Sequence, residues 1–103
     1  MAGRRKVRML TPTGDQDWSI CQRRLSRNQH TQYFGLCHWD KRLIEIDPSL
    51  DNETALRTVI HELTHVALGR DYAEPAVERV EHNVYVGVCL LLLDRFGINL
   101  EEE

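Results

Sequence analysis

Five consecutive residues, His61-Glu62-Leu63-Thr64-His65, carry the densest chemistry in this sequence. In an α-helix, residues four apart stand one turn apart on the same face, so the two imidazoles can converge on one divalent cation. Glu62 projects about 100° further round the helix than His61, off the metal but within reach of a water held there. A zinc ion lowers the pKa of such a water towards neutrality, and a neighbouring carboxylate can take its proton and later return it to a leaving amine. His-Glu-x-x-His on a helix is thus the donor pattern of metal-assisted hydrolysis.

The flanking residues supply the helix that this chemistry needs. Asp51 or Asn52 can cap its start, Glu53 suits its positive end, and Gly69 gives its stop. Leu56, Val59, Ile60, Leu63, Val66 and Ala67 recur at three- and four-residue spacing and define one apolar face. His61, Glu62 and His65 fall on the other side, with Thr58 and Leu68.

Two histidines hold zinc weakly, and a catalytic site commonly adds a third protein ligand while leaving one position open. The next helix can supply it. It starts near Glu74 with Pro75 in its first turn, and Gly97 stops it. Val77, Val80, Val84, Val88, Leu91 and Leu92 form its expected apolar stripe, and Glu74, Glu78, Glu81 and His82 are the ligands it offers. By helical angle Glu81 lies nearer that stripe than Glu78 does. Tyr85, one helical step beyond Glu81, is expected to pack between helices.

Ahead of the helices the pattern has period two. Val7 to Leu10 reads as a short strand or arm, and Thr11 to Asp17 as a loop. Trp18, Ile20 and Gln22 alternate with Ser19, Cys21 and Arg23, which suits a half-buried strand. Leu25 to Gln32 is a polar connection that includes His30. Tyr33 to Trp39 pairs with Arg42 to Asp47 about Asp40-Lys41, and Pro48 ends that hairpin. His38 and Asp40 belong to the hairpin end, and Trp18 and Trp39 to the core or its edge. Strands followed by helices give an α+β domain: a small antiparallel sheet of about three strands, with both helices on one face.

Composition narrows the classes. A chain of 103 residues makes one domain, 1–103, and buries about two-thirds of its unfolded surface; residues 1–6 and 100–103 are expected to be flexible ends. The longest apolar stretch, Val84 to Leu93, falls well short of the ~20 residues of a membrane span. The N-terminal MAGRRKVRML has no apolar signal core, so the expected location is the cytoplasm. Cys21, Cys37 and Cys89 form no paired framework and suit reduced thiols. The net charge of −3 divides into +4 over residues 1–50 and −7 over residues 51–103. Arg4, Arg5, Lys6 and Arg8, with Arg23, Arg24 and Arg27, give a basic stretch that solvated surface charge explains better than nucleic-acid binding does.

The succession G-L-C-H-W-D, L-I-E-I-D-P, T-V-I-H-E-L-T-H and E-P-A-V-E-R-V resembles small phage and prophage HExxH metallopeptidases. These are related in layout to SprT-like and ImmA/IrrE-like proteins. The resemblance spans Trp18 to Phe96 and is most specific at H-E-L-T-H. It implies a minimal zincin-like fold, a Zn²⁺ cofactor and a peptide or protein substrate. In gluzincin-like members the third ligand is a Glu at the start of an E-x-x-A helix, which places it on Glu78, although Glu81 stands where a small residue belongs. SprT-like members take a His from this region, which would favour His82. The expected function is zinc-dependent peptide hydrolysis with His61, His65 and Glu78 as ligands and Glu62 as general base. The alternatives are a catalytically latent, metal-stabilised regulatory domain and a nucleic-acid-associated one.

Overall fold

The computed structural model describes residues 3–25 and 34–100, and shows an α+β chain of four strands followed by two helices. The strands are β1 (Arg5–Thr11), β2 (Gly14–Gln22), β3 (Gly35–His38) and β4 (Leu43–Ile46). The helices are α1 (Asn52–Leu68) and α2 (Glu74–Phe96). The expectations for His30, Arg27, Tyr33 and the Glu101–Glu103 tail lie outside the described residues.

The sheet is larger than expected and is mixed. Its order is β1-β2-β4-β3, and β2 runs parallel to β4 while the two outer pairs are antiparallel. The expected loop Thr11 to Asp17 is mostly strand: Gly14, at φ 116, begins β2, and β1 and β2 close a tight hairpin. Residues 5 and 6, expected in a flexible end, belong to β1. Glycine alone tolerates that φ cheaply, so one residue turns a polar stretch back on itself. The β3–β4 hairpin docks on β2 through β4. That central place explains why all four residues of Leu43-Ile44-Glu45-Ile46 are buried.

One face of the sheet carries α1. Met9, Trp18, Ile44, Ile46 and Val66 form the core, with Val59 and Leu63 of α1 packed against it. Trp18 is buried, and Trp39 meets it edge-on at 5.5 Å between ring centroids, as their core and core-edge assignments require. At Gly35 an added Cβ would stand 2.7 Å from Cγ2 of Thr58, so the missing side chain lets β3 and α1 approach closely.

The caps of α1 are those expected. The Asp51 carboxylate accepts from the Thr54 N–H at 2.7 Å, and Gly69 ends the helix at φ 99. Gly97, in the left-handed region, ends α2. The second helix departs from expectation in its packing. It does not share the sheet face with α1 but lies on the outer side of α1 and reaches no described strand. Of its expected apolar stripe only Val77 is buried; Val80, Val84 and Leu91 are exposed, and Tyr85 is the other buried residue. Apolar residues stand on several sides of α2, so periodicity did not single out the face that packs.

Candidate metal centre

His61 and His65 stand on the part of α1 that faces α2 near the start of the second helix. Their Nε2 atoms are 3.2 Å apart, with ring centroids at 4.9 Å. The Glu74 carboxylate, in the first turn of α2, offers one oxygen to each: 3.2 Å to His61 Nε2 and 2.8 Å to His65 Nε2. The three residues present ligand atoms within 4.8 Å of one another. Two nitrogens bonded to a tetrahedral zinc at ~2.0–2.1 Å would lie ~3.3 Å apart. The imidazole pair therefore fits a single zinc ion, and the mixed N/O donor set suits that metal.

Glu81 occupies a different position. It accepts from Nδ1 of His61 at 2.8 Å, and its other oxygen lies 3.7 Å from Arg57 Nη1. The Arg57 guanidinium is stacked 3.9 Å above the Tyr85 ring and 3.5 Å from Glu53. A proton held on Nδ1 leaves Nε2 as the lone-pair donor, the tautomer a metal ligand needs. Buried Tyr85 thereby supports the arginine that holds Glu81, which adds to the packing role expected for it.

Glu78 is not brought to the histidines. It is exposed and shares a shallow surface recess with Pro75, Arg79, His82 and Asn83. The reason is the rotation of α2. Val77, Glu81 and Tyr85 turn towards α1, and Glu78 projects ~60° away from Glu81 by the helix repeat, with His82 ~100° away. Glu74 comes back into line because it sits two turns before Glu81. Glu74 was among the second-helix candidates, but no local pattern set it above Glu78.

Glu62 is buried at 8% exposure and lines a cleft of ≈ 500 Å³ together with His61, Glu81, Arg57, Thr58 and Gly35. Burial, assisted by Glu74, pushes its carboxyl above the usual range, and His61 and His65 oppose that shift. Cys37 faces the same region from β3. Burial and the nearby Glu62 raise its thiol to about 12, against an opposing effect of Arg70, so it stays protonated and a poor nucleophile.

The other polar residues lie elsewhere. His38 projects from β3 to Glu45 of β4, Nε2 to Oε1 at 2.6 Å, and Arg23 pairs with the same carboxylate. Leu36, paired with Glu45, and His38 alternate with Gly35 and Cys37, so this cluster is on the sheet face away from α1. Asp40 is in the β3–β4 turn. The basic N-terminal stretch is exposed along β1, where Arg8 is paired with Asp17 at 3.0 Å. No helix among the described residues is long and apolar enough to cross a membrane.

Comparison with known proteins adds no assignment: no family model, no curated protein and no solved structure matches this chain.

Proposed function

We propose that this chain is a zinc-dependent metallopeptidase in which His61, His65 and Glu74 hold the ion and Glu62 is the general base. The observation that carries the reading is the 3.2 Å approach of the two Nε2 atoms beside Glu74, at a cleft lined by a buried Glu62. Zinc, when bound at such a site, supplies a Lewis acid for the scissile carbonyl and acidifies a water.

The protein's own groups have separate tasks. Glu62, its carboxyl raised by burial, is better matched than an ordinary carboxylate to accept a proton near neutral pH and release it to an amine. Glu81 holds His61 in its ligating tautomer, and Arg57 holds Glu81. β3 is an edge strand among the described strands, and its first residue, Gly35, lines the cleft with the preceding Phe34. An extended peptide could add to that edge by backbone hydrogen bonds, with its carbonyls directed along the cleft. The substrate class is an unfolded or loop segment of a protein, and the proposed setting is the cytoplasm.

Elemental analysis of protein purified without added metal tests the centre. About one zinc per chain in the wild type and little in His65→Ala is the expected result. Hydrolysis of an unfolded, fluorescently labelled protein by the zinc-loaded wild type, absent in Glu62→Gln, tests the chemistry. Stoichiometric zinc without turnover would instead favour the latent, metal-stabilised regulatory domain. A salt-sensitive gel shift with DNA would favour nucleic-acid association.

A further inference from the structure

Two guanidiniums stand without an acidic partner beyond the end of β3. A cavity of ≈ 290 Å³ opens there between the β1–β2 hairpin and the end of α1. Trp39, Arg42 and Arg70 border it on one side, and Thr11, Thr13 and Gln16 on the other. The neutral groups are occupied among themselves. Trp18 Nε1 donates to Gln16 Oε1 at 3.1 Å, Gln16 Nε2 to Thr13 Oγ1 at 3.2 Å, and Thr11 Oγ1 to the Gly14 carbonyl at 2.7 Å. Arg42 and Arg70 are exposed, and the side chain of neither makes a hydrogen bond or ion pair with a described residue, Asp40 and Asp71 included. Arg70 stacks over Trp39, its guanidinium carbon 5.8 Å from the ring centroid, which steadies the group and leaves its in-plane N–H donors open. Arg42 holds φ 50, a conformation glycine takes at lower cost, and no side-chain hydrogen bond or ion pair to a described residue offsets that cost.

We propose that this cavity takes an acidic side chain of a peptide substrate, with Arg42 and Arg70 as the residues that select it. Guanidinium donors set in a planar fork match a carboxylate with two parallel hydrogen bonds. The C-terminus of α1, which also borders the cavity, carries a partial negative charge of about half an elementary charge. Two full positive charges outweigh it.

Its place along β3 links the cavity to the proposed active-site cleft, and in this respect the inference rests on the metallopeptidase reading. Gly35, at the start of β3, lines the cleft that holds Glu62, and Trp39, just past its end, lines the cavity. Cys37 lies between them, near enough to Glu62 and to Arg70 for both to act on its thiol. Val66, the residue after His65, also borders the cavity. From Cys37 to Trp39 is ~7 Å of strand, the span of two residues of extended chain. Antiparallel addition, the stronger pairing, runs a substrate from Trp39 towards Gly35. The acidic residue therefore belongs about two positions to the N-terminal side of the scissile bond, and a C-terminal carboxylate lies on the other side.

Binding measured without the metal separates the cavity from the catalytic reading. The probe is a short peptide of Gly, Ser and Ala with one central Glu, its counterpart carries Gln, and intrinsic tryptophan fluorescence of the metal-free full chain reads both affinities. The Glu peptide should bind at least ~10-fold more tightly at low salt, and the difference should shrink as salt is raised. Arg42→Gln and Arg70→Gln should each remove that preference, while Lys41→Gln, which deletes an equal charge outside the cavity, should keep it. All three positions are exposed, so the variants should fold, and the comparison of the two peptides on the wild type needs no variant. In the zinc-loaded protein the Glu peptide should have the higher kcat/KM, with the cut about two residues after the glutamate by mass spectrometry. Preference without turnover sustains the cavity and counts against the metallopeptidase reading; turnover without preference overturns the cavity alone. Equal loss in Lys41→Gln overturns it as diffuse surface charge, and loss on amidating the peptide's C-terminus overturns it in favour of a terminal carboxylate. Tighter binding of oligothymidylate, abolished by the two arginine substitutions, overturns it in favour of a phosphate backbone.

Discussion

His61 donates its Nδ1–H to Glu81 at 2.8 Å while its Nε2 lies 3.2 Å from Nε2 of His65. One ring thus bridges an orienting carboxylate on α2 and the prospective metal position, which separates the acidic residues of α2 into distinct roles. Glu74→Ala should weaken zinc binding most, because it removes an oxygen from the proposed ligand set. Glu81→Ala should cost ~10–100-fold in affinity, the usual effect of losing a ligand's supporting partner. Glu78→Ala should bind as the wild type does. Titration against a chelating zinc indicator ranks the three. If Glu81→Ala were the most damaging, the His61 ring would be turned over on binding and Glu81 itself would be the ligand.

Glu62 yields two expectations of opposite sign. Glu62→Gln should keep zinc and lose hydrolysis, since the role proposed for it is that of a base and not of a ligand. In the metal-free protein the same substitution should raise the melting temperature at pH 7. Burial lifts the Glu62 carboxyl above its ordinary value, so stability is fullest below that ordinary value and declines as rising pH ionises the buried group. Gln carries no such charge. A melting temperature lowered at pH 7 and unchanged at pH 4 would contradict the assignment.

On the far face of the sheet, Glu45 gives a separate acid-stability signal. The hydrogen bond from Arg23, and secondarily that from His38, hold its carboxyl at about 2 from an ordinary 4.5, although burial opposes them. The native state therefore prefers the ionised form. This contribution is fully present above the unfolded value and is lost as pH falls from 4.5 to about 2. Urea denaturation of the wild type should show that decline, and Glu45→Gln should be less stable at pH 6 with a flatter dependence below it. Parallel curves would place the acid sensitivity elsewhere.

The contact between β3 and α1 can be tested by size alone. Gly35→Ala would put a methyl group 2.7 Å from Thr58 Cγ2 and 3.2 Å from the Glu45 carbonyl oxygen. We expect a loss of ~1–3 kcal/mol, the range for overpacking. Thr58→Ser removes that methyl group but keeps the hydroxyl that donates to the Thr54 carbonyl at 2.7 Å. The double variant should recover part of the loss, the remainder reflecting the rigid Glu45 backbone. Strict additivity of the two changes would show that Gly35 matters for another reason.

Local signals in the sequence determined the parts whose causes are short-ranged. Asp51 and Gly69 bounded α1, Pro75 and Gly97 bounded α2, and the four-residue interval placed His61 and His65 on one face. The alternation around Trp18 and the Leu43–Ile46 strand were equally legible, as was the α+β class. Tertiary packing decided what depends on distant partners. The parallel docking of β4 on β2 has no local signature, because it is set by which strand can be buried on both faces. Which carboxylates of α2 come beside the histidines depended on how far α2 is rotated about its own axis. Val77 and Tyr85, the two α2 residues buried in the fold, set that rotation. A helix with apolar residues on several sides leaves its orientation open until a neighbour selects one face, and here the neighbour was α1, not the sheet.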